Sequence, residues 1–178
     1  MNFAPLAALP KGALKVLYEV ARHLLRRPVV GIVIAAHTRD GRWLLIRRAD
    51  TGTWALPGGT LEWGETLRST MVRELLEETG VANPVFERLV GVFSRPDRDI
   101  RFHAVNVLAL CEVEPPSSGA GVNPLEIRDV RLFREDEVPR PLAMGLDELF
   151  DLARQSAADD MGEASKTSKA RARDAILE

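Results

Sequence analysis

Apolar residues recur at helical spacing near the start of the chain. Between Gly12 and Arg27 basic residues occupy the other faces, and the apolar positions are Leu14, Leu17, Tyr18, Ala21, Leu24 and Leu25. This spacing predicts an amphipathic helix that Pro28 ends. Such a helix packs against its own domain, packs across a dimer interface or lies on a membrane. We favour packing and expect no membrane partner.

A series of apolar runs after Pro28 predicts a β-sheet. The runs are rich in β-branched side chains and are bounded by turn residues. The predicted strands are Val29–Ala36, Arg42–Arg48, Pro84–Val92, Arg101–Val113 and Ile127–Phe133. The pair Asp40-Gly41 predicts a hairpin turn between the first two strands.

Two further helices and one loop complete the predicted elements. Helical spacing predicts a helix from about Thr66 to Thr79 and a closing helix over Leu142–Arg154. The segment Thr51–Glu62 is expected to be a loop, because its Pro57-Gly58-Gly59 run disfavours regular structure. The pattern therefore predicts a chain that contains both helices and strands.

The chain divides into three parts. We expect an N-terminal helix over residues 1–28, one folded domain over residues 29–155 and a tail over residues 156–178. The tail consists mostly of Ala, Ser, Lys, Asp and Arg, so it lacks the apolar surface needed to fold and is predicted to be disordered. A chain of 178 residues suffices for one domain with a proper core.

Composition and charge are those of an ordinary globular protein. Hydrophobic residues make up 46%, charged residues 28%, and the net charge is −2. No overall positive field attracts nucleic acid, so any affinity for phosphate must be local. The single Cys111 excludes an internal disulfide, and no run is long enough to span a membrane. The first residues do not resemble a signal peptide, and we expect a cytoplasmic protein.

The run from Gly59 to Val81 concentrates the candidate chemistry. Its regularly spaced residues are Gly59, Glu65, Arg73, Glu74, Glu77, Glu78 and Gly80. On a helical wheel Glu74 and Glu78 border the apolar face, and Glu77 lies just beyond it. Carboxylates about 6 Å apart repel one another by roughly 3 kcal/mol and also meet the negative end of the helix dipole. A hard dication such as Mg²⁺ or Mn²⁺ reverses both effects, so the run predicts a metal site.

Glycines and an arginine support the same interpretation. Gly58 and Gly59 let the backbone approach a metal or a phosphate closely, and Gly80 can end the helix in the left-handed conformation. Arg73 can orient a carboxylate with its planar guanidinium group. A solvated acidic helix face is the alternative, but it does not account for the spacing of Glu65 and the glycines.

The run resembles the Nudix box, G-x5-E-x7-R-E-U-x-E-E-x-G-U with U apolar, at every defined position. The resemblance extends over about Val29 to Arg154. It implies an α/β/α sandwich around a mixed β-sheet and a Mg²⁺-dependent hydrolase that splits a nucleoside diphosphate derivative. The implied metal ligands are Glu74, Glu78, Glu77 and the Gly59 carbonyl, supported by Arg73 and Glu65. Because relatives are often homodimers, we expect a homodimer.

The general base is open between two glutamates. Members of the family differ in whether a glutamate of the box or one of a later loop accepts the proton. The candidates in this chain are Glu77 and Glu126, which precedes the last strand. An ordinary exposed loop acid is an equally good interpretation of Glu126.

A second stretch, Gly91–Val113, suggests the substrate. It is similar to a segment of a bacterial Nudix group labelled ADP-ribose pyrophosphatases. The candidate substrate-binding residues are Arg95, Arg98, Arg101, Arg47, Trp54 and Gly58. Arginines suit a diphosphate, and by strand alternation only one of Arg47 and Arg48 can face the cleft. Trp54 either stacks on a base or fills the core.

The favoured substrate is ADP-ribose or another nucleoside diphosphate sugar. The alternatives are a nucleoside triphosphate such as oxidised dGTP and a non-catalytic module that senses a nucleotide. A non-catalytic module would be expected to have lost acids of the box, and this chain keeps them all. We expect no nucleic-acid partner, because no basic face or aromatic platform is evident.

Overall fold

One mixed β-sheet with flanking helices organises the computed structural model, which describes residues 11–25, 28–95, 103–119 and 122–159. The helices are α1 (Lys11–Leu25), α2 (Leu67–Thr79) and α3 (147–159). The strands are β1 (Val29–His37), β2 (Trp43–Arg48), β3 (Trp54–Ala55), β4 (Gly58–Thr60), β5 (Val85–Ser94), β6 (Ala104–Glu112) and β7 (Ile127–Phe133). The predicted α/β class with a mixed sheet and an N-terminal helix is confirmed.

Strand β1 lies at the centre of the sheet. It runs parallel to β6 along its whole length and antiparallel to β4. At its end, His37 pairs with Trp43 at the start of β2, as the predicted hairpin requires. The main order is β3-β2-β1-β6-β5, with β4 added beside β1 and β7 beside β2. Strands flank both edges of β1, and its residues from Gly31 to Ala36 are buried, as expected for a continuous apolar run at the centre of a sheet.

The core lies between the sheet and the helices. Ile34, Leu44 and Leu110 of the sheet are fully buried, together with Met71 of α2 and Phe150 of α3. Burial of each such side chain contributes about 1.5–3 kcal/mol before the entropy cost of folding. The core therefore fixes α2 against the sheet and positions the acids that this helix carries.

The segment predicted to be a loop contains two short strands. The prediction for Thr51–Glu62 was wrong at Trp54–Ala55 and at Gly58–Thr60. In β4, Gly58 adopts φ +153°, and a β-carbon there would overlap the carbonyl oxygen of Ile32. The missing side chain is thus the feature that lets β4 pair with β1, although glycine disfavours strands in general.

The closing helix begins later than predicted. Instead of starting at Leu142, α3 starts at residue 147 and is preceded by a short 3-10 turn over Ala143–Gly145. Met144 and Gly145 of this turn have φ values of 54° and 63°. The helix continues to residue 159 and so includes the first residues of the predicted tail. The rest of the tail lies outside the described residues.

Helix α1 confirms the predicted N-terminal helix but not its packing against the domain. Leu17 is 51% exposed and Tyr18 is 64% exposed, so the part of the chain that the structure describes does not cover the apolar face. Across the described residues, we find no helix with the length and apolar character required to cross a membrane.

Candidate functional site

Helix α2 is capped at both ends by residues of the box and its surroundings. Thr66 accepts a hydrogen bond from the Ser69 N–H, and the Ser69 hydroxyl accepts one from the Thr66 N–H. Gly80 ends the helix at φ 76° and donates its N–H to the Leu76 carbonyl. The left-handed conformation expected at this glycine is confirmed, and it defines where the acidic turn stops.

Arg73 holds three of the acids together. Its Nε and Nη2 donate to both oxygens of Glu65 at 2.7 and 3.0 Å. Its Nη1 donates to Glu74 at 2.9 Å and to Glu77 at 3.2 Å. Nη2 also donates to the Thr60 carbonyl at 3.0 Å, which ties the cluster to β4.

This network changes the electrostatic argument made from the sequence. The guanidinium group and backbone N–H donation lower the pKa of Glu65 to about 2, and the Glu65 carboxylate raises the pKa of Arg73. The sequence argument counted only the repulsion between the acids at the helix end. Arg73 offsets part of that repulsion for Glu74 and Glu77 and also binds Glu65, because one planar group can contact several carboxylates.

Glu78 is the acid that Arg73 does not reach. Burial raises its pKa to about 8, against the hydrogen bond that the Gly58 N–H donates to Oε2 at 2.9 Å. The nearby charges of Glu74 and Glu126 raise it further, and Arg48 opposes them. Burial also raises the pKa of Glu74, despite Arg73. Two adjacent carboxyl groups thus lack full compensation, as the helical wheel predicted for its buried edge.

Strand β4 lies directly against these acids. A β-carbon on Gly59 would overlap the carboxylate of Glu74. The close approach expected of this glycine is therefore realised between its backbone and a side chain of α2. Any larger residue at this position would displace Glu74.

A cavity of about 440 Å³ opens beside the two carboxyl groups. Its polar lining residues include Glu74, Glu78, Glu126, Arg48 and Asn106. Its backbone lining comes from Gly58 and Gly59, and the apolar part from residues of β1 and from Met144 and Leu146. The cavity combines acidic, cationic and amide groups with an apolar wall, which is the composition of a small-molecule site.

Several predicted substrate residues do not line this cavity. Arg47 is turned away and donates from Nε to the Gly52 carbonyl at 2.9 Å; Arg48 is the strand residue that lines the cavity. The ring of Trp54 packs edge-on against Phe133, with centroids 4.9 Å apart, which matches the core alternative. Arg95 lies 3.9 Å from Glu148 at the end of β5. Arg98 and Arg101 lie outside the described residues.

The two candidates for the general base have different surroundings. Glu126 lines the cavity beside Glu78, whereas Glu77 is exposed and bound to Arg73. The sequence left the choice between them open, because it could not place the turn before β7 relative to α2.

Sequence reasoning missed Asn106 and Met144. Asn106 lies on β6 opposite Gly31, and within the described part of the chain its amide has no hydrogen-bond partner. A β-carbon on Gly31 would come within 2.8 Å of the Asn106 Oδ1 atom. A polar residue in an otherwise apolar strand was a signal for Asn106. No comparable signal identified Met144, whose left-handed backbone places it at the cavity.

The donor set fits a hard divalent cation. Within the described residues, no group of three or more His, Cys, Asp or Glu side chains is arranged to hold a metal ion. Mg²⁺, however, commonly binds through one or two carboxylates, with waters and substrate phosphates completing its coordination. Glu74 and Glu78 are two incompletely compensated oxygen donors on one cavity wall, which meets that requirement.

Comparison with known proteins agrees with the geometry. Residues 25–153 match the family model described as the NUDIX domain. A MutT-like protein from Streptomyces ambofaciens is 38% identical over 134 residues, which cover 75% of this chain and 77% of that protein. An ADP-ribose pyrophosphatase from Methanocaldococcus jannaschii is 44% identical over 78 residues, which cover 42% of this chain and 46% of that protein.

A solved structure shows the same fold. The MutT NUDIX hydrolase from Burkholderia pseudomallei is 33% identical and superposes with a TM-score of 0.55. The superposition covers 66% of this chain and 91% of that one.

Proposed function

The chain belongs to the Nudix hydrolase family, and on that premise we propose a Mg²⁺-dependent pyrophosphohydrolase that acts on a nucleoside diphosphate derivative. The favoured substrate is ADP-ribose or another nucleoside diphosphate sugar, cleaved to a nucleoside monophosphate and a sugar phosphate. The relative named ADP-ribose pyrophosphatase supports this choice of substrate. Mn²⁺ is a possible substitute for Mg²⁺, because both prefer hard oxygen ligands.

The proposal rests on one observation, that Glu74 and Glu78 line the same cavity. Both are acids of the box, both have raised pKa values, and both line the same space of about 440 Å³. Buried carboxyl groups with perturbed pKa values in a cleft are typical of functional sites.

Glu74 and Glu78 would hold the cation, and Gly59 would keep the backbone close to them. A bound dication supplies a more acidic water and neutralises charge on the phosphate oxygens. Arg73 orients Glu74 through Nη1 and anchors Glu65, so it acts as a positioning residue. The Gly58 N–H fixes one oxygen of Glu78 and leaves the other without that restraint.

Glu126 is the proposed proton acceptor. It lines the cavity beside Glu78, and a base must lie within reach of the attacking water. Arg48 faces the same cavity and is held by two hydrogen bonds to Asp50 at 2.9 and 2.6 Å. A positive charge fixed in this way suits a phosphate group of the substrate.

Asn106 and Met144 would contact the nucleoside or the sugar. The open amide of Asn106 offers a donor and an acceptor to a ribose or a base. Met144 is 38% exposed and adds a flexible apolar surface at the same cavity. Arg95 remains a proposed substrate contact of the loop after β5, although its described partner is Glu148.

A product assay tests the proposal. The full chain is incubated with Mg²⁺ and either ADP-ribose, dGTP or oxidised dGTP at equal concentrations, and the products are separated chromatographically. We expect AMP and ribose phosphate from ADP-ribose. Release of pyrophosphate from a triphosphate, with ADP-ribose left intact, would replace the favoured substrate by the alternative.

The same assay tests catalysis itself. Glu78→Gln keeps the shape of the side chain but removes the charge that would hold the cation, so turnover should fall by at least about 100-fold. If the unchanged chain cleaves none of the three nucleotides but still binds them, the result favours a non-catalytic sensing module.

A further inference from the structure

Among the residues that the structure describes, none covers the apolar face of α1. Five of its large apolar side chains are between 39% and 64% exposed: Leu14, Val16, Leu17, Tyr18 and Val20. Exposed apolar surface of this extent on one helix marks a contact with another molecule or with a membrane.

We propose that α1 docks on a membrane surface that contains anionic lipid and so attaches the enzyme to it peripherally. The chain between residues 11 and 27 contains five Lys or Arg residues and a single acid, Glu19, although the whole chain has a net charge of −2. A basic segment that carries an amphipathic helix complements anionic headgroups. This inference does not depend on the proposed hydrolysis.

The width of the apolar face favours a bilayer over a second copy of the chain. At about 100° per residue, the apolar residues from Ala13 to Ala21 cover an arc of about 200°, and Lys15 and Glu19 lie in the remainder. A seam between two helices uses a narrower stripe, so pairing with an identical helix would leave much of this arc in water. A helix that lies in the headgroup region buries the whole arc.

The positive charge of the α1 segment also favours a lipid surface over a second copy of the chain. Two copies of α1 side by side would bring two basic segments together, which is unfavourable at low salt. An anionic surface attracts the same segment, and this attraction decreases as salt screens it. The length of α1, 15 residues, is too short to span a bilayer, so the attachment is peripheral.

The experiment uses the full chain and sedimentation with lipid vesicles. One set of vesicles is phosphatidylcholine alone, and the other contains about 30% phosphatidylserine to supply the anionic surface. We expect binding to the anionic vesicles at low salt, at least about tenfold weaker binding to the neutral ones, and loss at about 1 M salt. Equal binding to both sets, or binding to neither, overturns the proposal.

Two matched variants test whether α1, and not another exposed apolar side chain of the protein, binds the vesicles. Leu17→Glu places a charge in the apolar arc, where the leucine is 51% exposed, and should weaken binding to anionic vesicles roughly tenfold or more. Leu89→Glu makes the same change at a 48% exposed leucine of β5 and should bind like the unchanged chain. Equal effects of the two variants contradict a docking role for α1.

Light scattering without lipid tests the alternative, in which a second copy of the chain covers the apolar face of α1. We expect Leu17→Glu to leave the mass in solution unchanged, with the same melting temperature for the domain. A dimer that Leu17→Glu converts to a monomer, together with no vesicle binding, would assign the α1 face to a second copy and overturn the lipid proposal.

Discussion

Arg48 lines the cavity, while its neighbour Arg47 turns away and donates to the Gly52 carbonyl at 2.9 Å. The pairing of β2 with β7 shifts register between these two residues. Asp50 fixes the Arg48 guanidinium, whose hydrogen bonds lower the pKa of Asp50 to about 2. Two adjacent arginines of one strand therefore have different surroundings, and they form a matched pair for mutagenesis.

Arg48→Ala should raise the KM for ADP-ribose by about tenfold or more, because a charged hydrogen-bond donor to phosphate is lost. Arg47→Ala removes the same charge from outside the cavity and should change KM less than about twofold. Steady-state kinetics of both variants check this prediction. Equal effects on KM would show that Arg48 does not contact the substrate.

Gly59→Ala should impair catalysis more than folding. The new methyl group would overlap the carboxylate of Glu74 and push it out of position. We expect kcat/KM to fall by about 100-fold, since a misplaced group of this kind costs that much. Gly119→Ala is the control, because a β-carbon there meets only ordinary contact, 3.5 Å from the Val130 carbonyl. Near-normal kcat/KM for Gly59→Ala would contradict the close approach.

Glu78 should make the metal-free protein less stable as pH rises. Its folded pKa is about 8 against an ordinary value of 4.5, so the folded chain holds this proton more tightly than the unfolded chain. The resulting stability is complete below pH 4.5 and is lost as pH increases towards 8. At the upper end, with a chelator present, Glu78→Gln should exceed the unchanged chain in free energy of unfolding by about 2–4 kcal/mol.

Denaturant titrations at both ends of this pH range measure the effect. Glu77→Gln is the control, because Glu77 is an exposed acid of the same helix turn. If Glu78→Gln shows the same pH dependence as the unchanged chain, burial does not perturb Glu78 as described.

Arg73→Lys should lower activity while the fold is kept. Lysine cannot reproduce the five hydrogen bonds that Arg73 makes to Glu65, Glu74, Glu77 and Thr60. We expect kcat/KM to fall by about 10–100-fold, the scale for loss of a residue that positions a ligand. Arg154→Lys, at a surface ion pair with Glu135, should have near-normal activity.

The Arg73→Lys substitution should also change how the stability of the protein depends on pH. Glu65 contributes stability above its ordinary pKa of 4.5, and this stability is lost as pH falls towards about 2. Without the guanidinium group the folded pKa of Glu65 should return towards its ordinary value. We therefore expect the stability of Arg73→Lys to fall less between pH 4.5 and about 2 than that of the unchanged chain. Acid unfolding followed by circular dichroism measures this difference.

Local signals predicted most of the framework. The β-branched run of β1, the Asp40-Gly41 turn and the capped helix α2 follow from residues close together in the sequence, and the structure contains all three. The short strand β4 could not be predicted, because it forms only through pairing with a distant partner. Propensity alone assigns Gly58 and Gly59 to a loop.

The part of the site that lies on helix α2 could be predicted from the sequence. The helical wheel placed Glu74 at the border of the apolar face and Glu77 just beyond it, and in the structure Glu74 is buried and Glu77 is exposed. The choice between Arg47 and Arg48 depends on a register shift, and the position of Asn106 depends on the order of strands. Neither can be obtained from the local sequence, because both are set by long-range pairing.

The Arg73 network offsets part of the acidic charge within the protein itself. The charge that is left lies on Glu74 and Glu78 at the cavity, so the proposed cation would add its stabilisation there and not at Glu65. Chelation would then stop turnover and lower stability through these two acids, while the cluster around Arg73 stays assembled.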